Sequence, residues 1–401
     1  MIASRAQPCE IQQHPFATLL VASCVVVFGV SCHRAETSDT SYKSATEPVH
    51  IRIEALDRLE VREHSRIDGN VADLVAIRPI RGMAVTSDGD LVVAQAQDHR
   101  VLFFDENGEA VAAFGRKGAG PGEFSGIFSL GLLADTLWVW DASLARFTLI
   151  DPAREFIRTI PVSKPKLRGE AASDGPAFVL GFPGNGVLVG VGFANGAVLF
   201  RGKTTSTSAD VLARITSPED DHFVAFPAGG GTDGNVFGVF AKHDVSADGQ
   251  LIAIARPFVD DGSSTATVTL LTTDGDTVFH RTLEFAPVPI PTSVVDSAIS
   301  ARTARMNTAN AAAFRRGAYV PSNFPAVNGV HIAQGGEVWL RLPEISGTQP
   351  YLVLDRSGNI RGVAAFPAGA IIGAATHGAV WMIEKDVNDV QTIVRYTVVG
   401  G

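Results

Sequence analysis

One short pattern recurs six times along this chain: a turn rich in Gly and Asp, then a small run of aliphatic residues and Trp. The copies are SDGDLVVA (87–94), LADTLWVW (133–140), PGNGVLVGV (183–191), SADGQLIAI (246–254), QGGEVWLRL (334–342) and THGAVWMI (376–383). With Leu91, Leu137, Val187, Leu251, Val338 and Val380 as equivalent anchors, the spacings are 46, 50, 64, 87 and 42 residues. Three of the four tryptophans, Trp138, Trp339 and Trp381, immediately follow an anchor. A unit repeated at such periods cannot bury its apolar face alone and must stack on its neighbours.

Each copy sits among hairpins. Short strands such as 82–86 and 329–333 precede it, and second hairpins follow at 100–115, 146–161, 267–283 and 350–367. Their turns (DENG, TDGD, RSGN) carry the Asn/Asp-Gly chemistry that tolerates positive φ. Strands such as LVVA, LWVW and VLVGV are nearly continuous in apolar residues, so both faces are covered. Four strands per unit, six units and doubly buried inner strands predict an all-β, six-bladed β-propeller. A seven-bladed ring or a sandwich is the alternative. The last unit, from Ile371, shows three strands, ending in QTIVRYTVV (391–399), whereas HIRIEALDRLEV (50–61) is a strand without a partner. Pairing that N-terminal strand into the last blade closes the ring and removes exposed edges.

The 87-residue spacing marks an insertion between blades four and five. Residues 291–316 are Ala-rich and Gly-free, with Val295, Ile299, Met306 and Ala313 near one helical face and Thr292 or Ser293 as the expected cap. Arg302, Arg305, Arg315 and Arg316 make this helix basic. It is expected to cover blade edges or to act as a lid.

The N-terminus has a different character. After a polar start, Phe16–Ser31 is an apolar or small-residue run of sixteen that ends at Cys32. It falls short of the ~20 residues of a membrane-spanning helix and fits a secretory h-region. The stretch resembles a bacterial lipoprotein signal, with Gly29-Val30-Ser31 before Cys32. That likeness implies a signal peptide over 1–31, lipidation at Cys32, a tether over 32–49 and the propeller over 50–401. Cys24 is a second local match, and an ordinary secretory signal without lipid is the alternative. The resemblance places the protein in the cell envelope, outer membrane or periplasm-facing. All three cysteines (9, 24 and 32) lie in or beside this segment, so the remainder has no disulfide framework, thiol catalysis or Cys-based metal site.

Residues 115–124 (GRKGAGPGEF) follow the first blade. With MAVTSDGDLVVAQAQDHRVLFFDENGEAV before them, they resemble an NHL-type repeat, and the chain is similar to bacterial six-bladed β-propeller lipoproteins. The close likeness covers about residues 78–124, and Gln95–Arg100 departs from the usual Asp-x-x-Asn. The resemblance implies the fold and leaves the activity open, since propellers host binders, lyases, lactonases and hydrolases.

Several chemistries can be weighed. The Gly-rich loop lacks the P-loop order and no helical pattern follows it, so a structural crossover with Phe124 plugged between blades is preferred to an anion cradle. No HxH, HExxH or G-x-S-x-G spacing occurs. A propeller gathers side chains at its axis from different blades; Arg78, Arg81, Lys242, His243, Asn328 and His331 stand at or before inner strands. Arg81, Lys242, His243 and His331 are the candidate ligand-binding residues of the channel mouth. Their basic balance suits an anionic ligand, and the two histidines could instead hold a metal. Acidic stretches 219–221 and 260–262 raise Ca²⁺ as an alternative, although neither has an EF-hand register.

Hydrophobic residues make up 46% and charged residues 19%, which fits a globular chain, and a net charge of −9 disfavours nucleic-acid binding. The expectation is a lipid-anchored, monomeric binding or interaction propeller for an unidentified small molecule or protein, with no catalytic residue and no cofactor assigned. The alternative is a propeller enzyme of lactonase or lyase type using Ca²⁺, Zn²⁺ or basic channel residues.

Overall fold

The computed structural model describes residues 47–67, 80–163, 166–168, 178–193, 197–215, 224–227, 232–233, 236–237, 239–259, 263–386 and 390–400. Cys32, the tether up to residue 46, Arg78 and the acidic stretches 219–221 and 260–262 lie outside them. Six sheets of four or five strands are arranged as blades. Blade 1 runs Ile80–Val85, Leu91–Gln95, Arg100–Phe104 and Ala110–Phe114; blade 2 runs Ile127–Leu133, Thr136–Asp141, Arg146–Ile150 and Phe156–Pro161. Blade 3 is built from Phe178–Gly184, Val187–Phe193, Ala197–Lys203 and Ser208–Arg214, with Lys166–Leu167 added in parallel outside the last. Blade 4 comprises Lys242–Val245, Leu251–Val259, Ser264–Thr272 and Thr277–Phe285; blade 5 comprises Gly329–Ile332, Val338–Arg341, Thr348–Leu354 and Ile360–Pro367.

Blade 6 contains Ile371–Thr376, Ala379–Lys385 and Gln391–Val399. Its fourth strand, Glu60–Ile67, comes from the other end of the sequence and lies antiparallel to Gln391–Val399, with Ile67 opposite Ile393. The sequence places that strand at 50–61, and the structure moves it. Val49–Ile51 instead runs parallel to the outer strand of blade 4, and Leu59 N donates to Val363 O of blade 5 at 2.9 Å. The shift has a simple cause. Ile51 and Leu59 carry apolar side chains that bury against blades 4 to 6, whereas Glu60–Ile67 is polar except at its ends. Apolar patterning therefore points to the covering segment rather than the paired one.

Six apolar clusters fill the six interfaces between neighbouring blades, including the one between blade 6 and blade 1. Trp138, Trp339 and Trp381 each face the following blade, and the anchors before them face the preceding one. In blades 3 and 4 the anchors sit one residue later than the pattern suggests. Leu188 and Ile252, not Val187 and Leu251, face the preceding blade. Side chains alternate across a strand, so a slip of one residue exchanges the two interfaces.

Two α-helices occur among the described residues, between the last strand of blade 4 and the first of blade 5: α1 (Thr292–Thr303) and α2 (Thr308–Gly317). The single helix expected over 292–316 is broken at 304–307. Asn307 caps α2, its side chain accepting from Asn310 N at 2.9 Å, whereas the N-cap of α1 is Pro291 with no side-chain cap. In α1 only Thr303 is buried, while α2 buries Ala311, Ala313 and Phe314. α2 also packs on Val224, against which a side chain at Gly317 would collide.

The Gly-rich loop 115–124 is structural. Phe124 is fully buried between blades 1 and 2, and Gly115, at φ 95°, lies so close to that ring that a Cβ would overlap it. The loop does cradle an anion, and the anion is its own Glu123. Gly120 N donates to Glu123 Oε2 at 2.8 Å and Arg116 Nε to Oε1 at 2.9 Å. These contacts hold the Glu123 carboxyl below its ordinary range, the Gly120 amide first among them.

Candidate functional site

The innermost strands of all six blades surround a cavity of about 310 Å³ on the axis, lined by residues 82–85, 129–130, Leu180, 243–247, 331–332, Gln334 and 372–375. One end has a floor made by the turn after the first strand of blade 4. Ala247 O accepts from Leu132 N of blade 2 at 2.8 Å, and Gln250 Nε2 donates to Pro183 O of blade 3 at 3.1 Å. Gly131 permits this approach, because a Cβ there would strike the Ala247 carbonyl. Strand parity places α1 and α2 at the opposite face, where the inner strands begin.

His243 and His331 both line this cavity, on neighbouring blades. His331 Nδ1 lies 3.1 Å from Asp244 Oδ2, and the same oxygen accepts from Ile332 N at 2.8 Å. The side chains of His331 and Asp244 are 21% and 28% exposed, so the pair is shielded but reachable. His243 Nδ1 is buried with no hydrogen-bond partner among the described residues. Burial pushes the His243 imidazole below its ordinary value; Asp244 opposes this and Lys242 adds to it. His243 is therefore held neutral at physiological pH.

The other candidates separate from this pair. Lys242 is not among the described lining residues. Its ammonium lies 3.5 Å from the centroid of the Phe240 ring, and burial pushes its pKa down to about 8. Arg81 belongs to the inner strand of blade 1, but its side chain lies outside what is described. Asn328 N donates to Arg341 O at 2.7 Å, just before the inner strand of blade 5. No group of three or more His, Cys, Asp or Glu suited to a metal occurs among the described residues.

Asp244 was not singled out from sequence. In Lys-His-Asp-Val-Ser-Ala-Asp-Gly it looks like one more acid before a turn; only the neighbouring blade, which brings Ile332 and His331 to it, reveals its place. No helix among the described residues is long and apolar enough to cross a membrane.

No family model matches the chain, and no curated protein matches it in sequence. Among solved structures, the chain is similar to a member of the DUF4221 family from Bacteroides vulgatus, at 11% identity and TM-score 0.46 over 86% of this chain and 99% of that one. It is also similar to a putative exported protein from Bacteroides fragilis, at 10% identity and TM-score 0.46 over 88% and 98%. Virginiamycin B lyase from Staphylococcus aureus follows at 11% and 0.39, over 85% and 100%.

Proposed function

We propose that this protein is a lipid-anchored binding propeller of the cell envelope, with a small-molecule site in the axial cavity. The observation that carries the site is the convergence of His243, Asp244 and His331 on a floored cavity whose other walls are mainly apolar. Ligand sites of this kind combine apolar walls with a few convergent polar groups. The pairing of Glu60–Ile67 with Gln391–Val399 supports a ring closed by the N-terminal strand. Such a ring holds the inner strands rigid around the cavity. α1 and α2 then form the helical insertion between blades four and five. Of the four sequence candidates, His243 and His331 are retained as ligand-binding residues. Lys242 and Arg81 are assigned to the mouth.

Lipidation at Cys32 would keep the propeller at a membrane surface. The apolar run before Cys32 supports it. Cys32→Ala should leave the protein unprocessed or released from the membrane fraction; unchanged mass and fractionation would remove the anchor from this account. A thermal-shift screen of polar metabolites tests the binding function. Hits should lose their effect in His243→Ala and His331→Ala variants, and hits indifferent to both would place the site elsewhere.

One observation favours a second reading, an enzyme of lactonase or lyase type. His331 Nδ1 lies 3.1 Å from Asp244 Oδ2 on the cavity wall, and a carboxylate beside an imidazole is the arrangement that orients a histidine base. Turnover of lactone or cyclic-ester substrates that is lost in His331→Gln would favour this reading over pure binding.

A further inference from the structure

The basic residues near the inner strands suggest an anionic ligand, but the hydrogen-bond inventory of the cavity runs the other way. No Lys or Arg side chain is among the described residues that line it, and Asp244 contributes its carboxylate. The two lining hydroxyls are spent as donors: Ser129 Oγ donates to Val179 O at 2.9 Å and Ser246 Oγ to Asp248 Oδ1 at 2.5 Å. His331 Nδ1 lies 3.1 Å from Asp244 Oδ2, so one edge of the imidazole is turned to the carboxylate. Asp244 Oδ2 is occupied by Ile332 N and His331, and no hydrogen bond from a described residue reaches Oδ1. The site thus offers the Asp244 carboxylate as its charged group and has already committed its hydroxyl donors, with the Gln334 amide as its remaining uncharged polar side chain beside the histidines.

Beside the polar groups, Met83, Leu130, Leu180, Ile332 and Ile372, from five different blades, supply apolar wall. Burial lowers the pKa of His243, which also lines the cavity, so it brings no positive charge that would repel a cation. A partly shielded carboxylate with an unfilled acceptor is well satisfied by a charge-assisted donor.

Resting on the axial cavity as the binding site, we propose that it takes a small amphipathic amine. Asp244 would accept from the protonated head, and Met83, Leu130, Leu180, Ile332 and Ile372 would pack on an apolar body. The complex gains a charge-assisted hydrogen bond to Asp244. An anionic head would face Asp244 with no described cation to compensate it.

Calorimetric titration of the full-length protein with benzylamine, benzyl alcohol and benzoate separates head-group charge from ring shape. Benzylamine should bind most tightly. Asp244→Asn keeps an oxygen for Ile332 N, so the fold is retained, and it should weaken benzylamine about tenfold or more while leaving benzyl alcohol nearly unchanged. Leu180→Trp, which fills the cavity, should weaken both. Benzoate binding as tightly as benzylamine, in a manner sensitive to Leu180→Trp, would overturn the amine assignment and leave the axial site standing. Benzylamine binding indifferent to Asp244→Asn would also overturn it. If none of the three probes binds, the axial site itself fails.

Discussion

His331 of blade 5 and Asp244 of blade 4 meet at 3.1 Å, and the carboxylate oxygen they share also accepts from Ile332 N. Two innermost strands that have no ladder between them are thus joined at the cavity wall. The contact is both structural and exposed to any ligand. Asp244→Ala leaves the amide of Ile332, a buried residue, without its acceptor. The expected loss is about 1–3 kcal/mol, measured by chemical denaturation; Asp244→Asn should lose clearly less. Equal losses in the two variants would contradict this role.

Phe124→Ala tests the loop between blades 1 and 2. The ring is completely buried and fills space that Gly115 leaves free. Truncation should cost about 3–5 kcal/mol, as for other buried aromatics. A change below about 1 kcal/mol would mean that the loop is held by the Glu123 contacts, and by Arg146 donating to the carbonyls of Ala119, Gly120 and Glu123, rather than by the plug.

Stability should depend on pH through His243. Its pKa lies below the ordinary 6.5 in the folded chain, so below that value the unfolded chain binds more protons. The contribution is complete above 6.5 and falls as pH drops toward the depressed folded value. His280, lowered by burial first and by Arg281 second, acts in the same direction. Melting temperatures measured from about pH 7.5 down to about pH 5 should fall less in His243→Asn than in the parent chain. Identical slopes would rule out His243 as a contributor.

Removing residues 60–67 should expose Gln391–Val399 as a free edge and strip Ile67 from the interface of blades 6 and 1. Aggregation or a large fall in melting temperature is expected. A monomeric truncated protein that melts like the parent would show that the ring does not need this strand.

The fold was readable because the blade interface imposes a strict demand on the second strand. Leu137-Trp138 and Val380-Trp381 must present an aliphatic residue to one blade and a large ring to the next, and that demand survives in the sequence as a repeat. Blades 3 and 4 were legible only to within one residue, because Val187 and Leu251 are as apolar as their neighbours and periodicity cannot choose between them. The fourth strand of blade 6 is poorly legible in sequence because Glu60–Ile67 is mostly exposed and carries little apolar signal. The site was half legible. His243 and His331 stand on inner strands that the repeat locates, whereas Asp244 acquires meaning from a contact across 88 positions in sequence. The internal use of the Gly-rich loop by Glu123 was likewise invisible, since a local motif does not tell which anion it binds.

The central claim is that the axial cavity between His243, Asp244 and His331 holds a ligand. Crystals of the full-length protein grown with benzylamine test it most directly. The account predicts density in the cavity, with the amine within hydrogen-bond distance of Asp244 and the ring against Leu130 and Ile332. A cavity filled by the protein's own side chains, or benzylamine bound only outside the ring of inner strands, would contradict it.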